Sequence, residues 1–163
     1  MKGKKSVISR LNDLLVGELV AADQYFVHAR MYKEWGFHRL YERIDHERQD
    51  EIGHADLLIR RILFLEGTPD LSKRPAPTIG KDVPSMLRAD LDLELAVIKE
   101  LKEAIAHCEE NRDYDTRRIL AEILEDTEQD HTLWLEQQLG LIERMGLQNY
   151  LQSAAGNIAG GAS

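Results

Sequence analysis

The two halves of the sequence repeat one arrangement of residue types that can bind metal ions. Each half has a glutamate, and a second glutamate follows 33 or 34 residues later with a histidine three positions after it. These residues are Glu18, Glu51, His54, Glu94, Glu128 and His131. Carboxylates combined with imidazoles suit iron or manganese when coordination positions stay open. The repeat therefore predicts one centre that binds two such ions.

All six positions interrupt stripes of apolar residues; Glu18, for example, is in line with Leu11 and Ala22. A glutamate and a histidine three residues apart on an α-helix point about 60° apart and can share one ligand. Unpaired carboxylates in an apolar bundle cost several kcal/mol each. We expect no Lys or Arg on these stripes at a matching depth, so two divalent cations would balance the four negative charges.

The elements that must position these residues are long helices. Apolar residues recur at helical spacing over residues 6–35, 39–66 and 84–111, and in a fourth segment that begins after residue 113. Two short connections make the helices that they join antiparallel. The proline-rich connection 67–81 can extend roughly 50 Å, which exceeds the roughly 40 Å length of a 27-residue helix. It can therefore cross the whole bundle.

This pattern predicts an all-α fold, a ferritin-like four-helix bundle with one long crossover. Residues 147–154 predict a short fifth C-terminal helix after Gly146, so the domain covers residues 1–156 and residues 157–163 form a flexible tail.

Composition excludes several other classes of protein. The 29 acidic and 21 basic residues give a net charge of −8, which argues against a nucleic-acid binder. The sequence contains no long apolar run, so it predicts neither a membrane span nor a secretory signal. The single cysteine, Cys108, excludes a disulfide framework and favours a reducing, cytoplasmic location.

The sequence resembles the bacterioferritins over essentially its whole length. The segments that carry the resemblance are residues 19–31, 46–56, 61–67 and 145–152. The resemblance implies a 24-subunit cage, whose subunits each hold a non-haem di-iron ferroxidase site with the six residues above as ligands. Such a protein oxidises Fe²⁺ with peroxide or dioxygen and stores the ferric product as mineral in the cavity.

The resemblance also implies roles for residues beside these six. Tyr25 would support electron transfer, although a core aromatic residue with a satisfied hydroxyl is the structural alternative. His46 and Asp50 would point away from the ligands and bind iron in transit to the cage interior, and a solvated pair is the alternative. Independently of the resemblance, Glu47 lies on the Glu51 side of its helix and is expected to be an outer acid that orients a ligand.

One position departs from the family pattern. Bacterioferritins bind haem b between two subunits through a methionine directly after the glutamate of the second helix, where this chain has Ile52. Because Ile52 cannot bind iron, we expect a subunit that binds no haem by itself and that co-assembles with a haem-binding bacterioferritin subunit.

Two other functions fit the same residues. A soluble di-iron peroxidase or oxygenase of small oligomeric state would use the same ligands without storing iron. A non-catalytic interaction bundle would use its buried acids only to set the packing register. Replacing those acids by apolar residues would then stabilise the fold without changing iron oxidation.

Overall fold

The structure, a computed structural model, describes residues 1–156. This range is helical and contains no strand, as predicted. The elements are α1 (Lys5–Glu34), α2 (His38–Phe64), α3 (Val83–Glu110), α4 (Tyr114–Asp126), a π-helical turn (Thr127–Thr132), α5 (Leu133–Met145) and α6 (Leu147–Ala155). The π-helical turn was not predicted; it joins α4 and α5 into one continuous rod. The predicted tail, 157–163, lies outside the described residues.

The long connection between α2 and α3 runs beside α1. Near the start of α1, Asn12 Oδ1 accepts the N–H of Asp70 at 2.8 Å. Near its end, His28 Nε2 accepts the N–H of Gly80 at 3.1 Å. Residues 12 and 28 are roughly 24 Å apart along a helix axis. The connection therefore crosses the bundle, and α2 and α3 run parallel, which confirms the ferritin-like topology.

The connection ends in a close approach that fixes the start of α3. The carboxylate of Asp82 accepts the N–H of Ser85 at 2.8 Å, the hydroxyl of Ser85 accepts the N–H of Asp82 at 3.1 Å, and Pro84 occupies the first turn. This capping box satisfies N–H groups that have no partner within the helix. A Cβ at Gly80 would lie 2.5 Å from the backbone nitrogen of Met86, so only glycine fits there.

The apolar core consists of two clusters, one at each end of the bundle. One cluster joins α1, α2, α3 and α4 around Leu11, Leu58, Leu101 and Leu120. The other joins the opposite ends of α1, α2 and α3 to α5 and α6, around Tyr32. Buried acids and histidines occupy the layer between the two clusters. No helix among residues 1–156 has the length and apolarity that crossing a membrane requires.

Candidate metal centre

Five of the six predicted ligands converge in the polar layer. They come from α1, α2, α3 and the π-helical turn, and each is at most 7% exposed. These residues are Glu18, Glu51, His54, Glu94 and His131. They form two triads, Glu18 with Glu51 and His54, and Glu51 with Glu94 and His131. Within each triad, the candidate ligand atoms all lie within 4.8 Å of one another. The structure therefore brings these five residues together, as their spacing within the apolar stripes predicted.

Glu51 belongs to both triads. Its Oε2 lies 3.3 Å from His54 Nδ1, and its Oε1 lies 2.9 Å from His131 Nδ1. Glu18 completes the first triad, with Oε2 at 3.6 Å from His54 Nδ1, and Glu94 completes the second, with Oε1 at 3.3 Å from His131 Nδ1. One carboxylate therefore offers an oxygen to each of two neighbouring positions, as a bridging ligand in a two-metal site does.

Burial and close contacts shift the pKa values of the buried acids and histidines of the centre. Burial, followed by the charge of Glu51, raises the pKa of Glu18 well above its ordinary 4.5, and burial also raises the pKa of Glu94. Burial lowers the pKa of His54, but its hydrogen bonds, first with Asp126, outweigh burial and raise this pKa to about 12. A metal ion that binds here must displace protons, because its ligands bind in their deprotonated forms.

The donor set fits metal ions better than it fits a packed core. No Lys or Arg nitrogen of residues 1–156 lies within 4.0 Å of Glu18, Glu51 or Glu94. Oε1 of Glu18 is buried and has no hydrogen-bond partner in that range. Buried carboxylate oxygens are normally paired. An unpaired oxygen beside a second buried acid is the arrangement that a divalent cation would satisfy.

Glu128, the sixth predicted ligand, lies outside this cluster. Its side chain is 38% exposed and forms an ion pair with Lys102 Nζ, so the expectation that no lysine lies at its depth is not met. The spacing argument assumed an α-helix, whereas residues 127–132 form a π-helical turn. With roughly 4.4 residues per turn, positions three apart differ by roughly 115° instead of roughly 60°. Glu128 and His131 therefore point in different directions.

Two outer acids contact the far nitrogens of the two candidate ligand histidines, His54 and His131. Asp126 Oδ2 accepts from His54 Nε2 at 2.8 Å, and Glu47 Oε2 lies 2.5 Å from His131 Nε2. Arg43 pairs with Glu47 in turn. Glu47 was expected as an outer acid, but Asp126 was not identified from the sequence. In the sequence, Asp126 is marked only by its position five residues before His131. That spacing places two residues on the same face only in a π-helical turn.

Tyr25 lies directly beside the centre. It is fully buried on α1, and its hydroxyl donates a hydrogen bond to Oε1 of Glu94. Burial, followed by the charge of Glu94, raises the pKa of Tyr25, so this residue is a protonated phenol. The hydroxyl is therefore satisfied, as the structural alternative required, but its partner is a predicted metal ligand.

The other predicted positions lie toward the surface. His46 is 64% exposed and pairs with Asp50 at 3.2 Å, as their spacing on α2 indicated. Asp50 does not point fully away from the centre, because its Oδ2 is also 3.5 Å from His131 Nε2. Asp50 thus lies between an exposed and a buried histidine. Ile52 is 48% exposed on the surface of α2.

Comparison with known proteins identifies the family. The family model for the ferritin-like domain matches residues 8–145 of this chain. The chain belongs to the ferritin family. It is 79% identical to a bacterial ferritin of Paramagnetospirillum magnetotacticum over the full length of both chains. It is 62% identical to a bacterial ferritin of Synechocystis over 94% of this chain and 98% of that protein, and 40% identical to a bacterioferritin of Brucella melitensis over 93% and 94%.

Family membership establishes the general function. Ferritins bind iron, assemble into multimeric cages and store iron with ferroxidase activity, and this chain is an iron-storage protein of that kind. The alternative of a small soluble peroxidase or oxygenase is not favoured.

Proposed function

We propose that the chain binds Fe²⁺ in pairs at the two triads that share Glu51, oxidises both ions there and releases Fe³⁺ for storage as mineral inside a 24-subunit cage. The observation that carries this proposal is the position of Glu51, with one oxygen facing each ligand histidine. Mixed carboxylate and imidazole donors with open positions suit iron.

The charges agree with two ions. Glu18, Glu51 and Glu94 supply three negative charges, so two divalent cations leave one net positive charge. Asp126 and Glu47, which touch the far sides of the histidines, add two negative charges, and Arg43, which pairs with Glu47, adds one positive charge, so the sum is zero. Each ion gives up one electron, and two ions held side by side supply the pair that reduces peroxide to water or dioxygen to peroxide. We propose either of these oxidants as the electron acceptor.

Tyr25 is placed to assist this reaction. Its hydroxyl donates to Glu94, which orients one carboxylate oxygen, and a buried phenol beside the centre can supply an electron and a proton. The redox role therefore adds to a structural one. Loss of the hydroxyl would slow oxidation without removing a metal ligand.

His46 and Asp50 form the proposed route by which iron leaves. Asp50 lies within 3.5 Å of both His46 on the surface and His131 in the centre, so the two residues connect the buried site with solvent. We assign them to iron in transit between the centre and the cavity. Their short side chains on one helix turn offer one carboxylate and one imidazole to a passing ion.

Exposed apolar side chains support the cage. Large apolar residues on α1, α2 and α5 are 40–57% exposed and are available for contacts with neighbouring subunits. They are Phe26, Ile52, Leu63, Phe64, Leu133 and Leu141. Because Ile52 offers no iron ligand, we propose that this subunit alone binds no haem b and co-assembles with a methionine-bearing, haem-binding bacterioferritin subunit. Cys108, a free and buried thiol, suits a reducing cytoplasm.

The direct test combines Fe²⁺ oxidation with a mass measurement of the assembly. Purified protein should oxidise Fe²⁺ faster than buffer, retain the product as mineral and sediment as a 24-subunit particle. Glu51→Ala should assemble equally well but lose the fast phase of oxidation. Glu42→Ala, at an exposed position on the same helix, is the matched control. A small oligomer, or fast oxidation that persists in Glu51→Ala, would contradict the proposal.

A further inference from the structure

The two ligand histidines are held by acids from opposite helices. His54 of α2 presents Nδ1 to the centre and Nε2 to Asp126 at the end of α4. His131 of the π-helical turn presents Nδ1 to the centre and Nε2 to Glu47 of α2. Each histidine therefore contacts an acid from the segment that supplies the other histidine. One segment is α2, and the other is the continuous rod of α4 and the π-helical turn.

The brace on His54 depends on the π-helical turn. In an α-helix, positions five apart point about 140° away from each other, so Asp126 and His131 could not face one site. In a turn of roughly 4.4 residues, they differ by only about 50°. Asp126 Oδ2 accordingly lies 2.8 Å from His54 Nε2 and 3.8 Å from His131 Nε2. The same turn directs Glu128 outward to Lys102.

We propose that Asp126 is a positioning residue of the metal centre, brought to His54 by the π-helical turn. By accepting the Nε2–H of His54, Asp126 leaves Nδ1 as the atom that binds metal and fixes the plane of the ring. A carboxylate in this position also makes the imidazole a stronger donor, and its loss commonly weakens metal binding 10- to 100-fold. This inference rests on the proposed two-metal function.

The test is a titration of the metal-free protein with Co²⁺. Calorimetry measures the affinity of each site, and the visible absorption of the bound ion reports its coordination. The wild type should bind two Co²⁺ per chain. Asp126→Ala should weaken one of the two sites by about 10- to 100-fold and change its absorption, while the site at His131 stays intact. Asp126→Glu should restore most of the affinity. Asp126 is 40% exposed, so its removal leaves no cavity in the core.

Glu125→Ala is the matched variant, because it removes an exposed acid of α4 that directly precedes Asp126. It should bind both ions like the wild type. Asp126→Asn gives a second measurement in which the side chain keeps its shape and an accepting oxygen, and a smaller loss is expected. Wild-type affinity and absorption in both Asp126→Ala and Asp126→Asn, or an equal loss of affinity in Glu125→Ala, would overturn the inference. Failure of the wild type to bind two ions would instead contradict the proposed function.

Discussion

Replacing Glu18 by methionine should stabilise the metal-free protein while removing part of its metal response. Glu18 is 1% exposed, has one oxygen without a partner and has no Lys or Arg within ion-pair distance among residues 1–156. Replacing buried ionic groups by apolar side chains of similar volume is often neutral or stabilises a protein by about 1–4 kcal/mol. For a chain of this size, each kcal/mol corresponds to roughly 2–4 °C in Tm.

The sign of the pH dependence follows from the pKa of Glu18, which burial raises above the ordinary 4.5. A carboxyl group whose pKa is higher in the folded state favours folding at low pH and loses that contribution as the pH rises through the folded-state pKa. The stabilising effect of Glu18→Met should therefore be small near pH 4.5 and increase toward neutral pH. Urea unfolding in the presence of a chelator, at several pH values, measures it.

Added Co²⁺ provides the second half of this test. An ion bound only by the folded state stabilises it by about 2.7 kcal/mol at one hundred times its Kd. Wild type should gain from two ions, whereas Glu18→Met should gain only from the ion at Glu51, Glu94 and His131. Glu42→Met, at an exposed position, is the control. A Glu18→Met protein that is less stable without metal and gains as much from Co²⁺ as wild type would refute the reasoning.

Three further changes test separate parts of the account. Tyr25→Phe should slow fast Fe²⁺ oxidation in stopped-flow absorption and leave the number of bound ions unchanged, because it removes only the hydroxyl that donates to Glu94; an unchanged rate would exclude a redox role. Ile52→Met should produce a haem Soret band after reconstitution, whereas a Soret band in the wild-type homo-oligomer would contradict its assignment as haem-free. Deletion of Thr127 should convert the π-helical turn to α-helix and turn Asp126 away from His54, so that one of the two Co²⁺ ions binds more weakly, as in Asp126→Ala.

Much of the fold could be predicted from local features of the sequence, namely the glycines at helix ends and the length of one connection. Helix ends at Gly36, Gly67 and Gly146 and the reach of the connection 67–81 leave few topologies open, and the structure confirms the crossover. Five candidate ligands could be located because a polar residue in an apolar stripe must face the core. That argument needs only the helical period.

The centre's remaining features depend on a local change of that period. Six residues with i→i+5 hydrogen bonds move Glu128 out and Asp126 in, and no periodicity of apolar residues reveals this. The lysine that pairs with Glu128 comes from another helix, so its depth could not be judged from the sequence. The sharing of Glu51 likewise depends on how α2 is rotated against its neighbours, which packing alone determines.

The most direct test of the central claim is anaerobic titration of the metal-free protein with Fe²⁺, in wild type and Glu51→Ala. If the shared carboxylate joins two triads, the wild type saturates at two tightly bound ions per chain and Glu51→Ala loses tight binding at both positions together. Saturation of the wild type at fewer than two ions, or a Glu51→Ala protein that keeps both, would contradict the paired site.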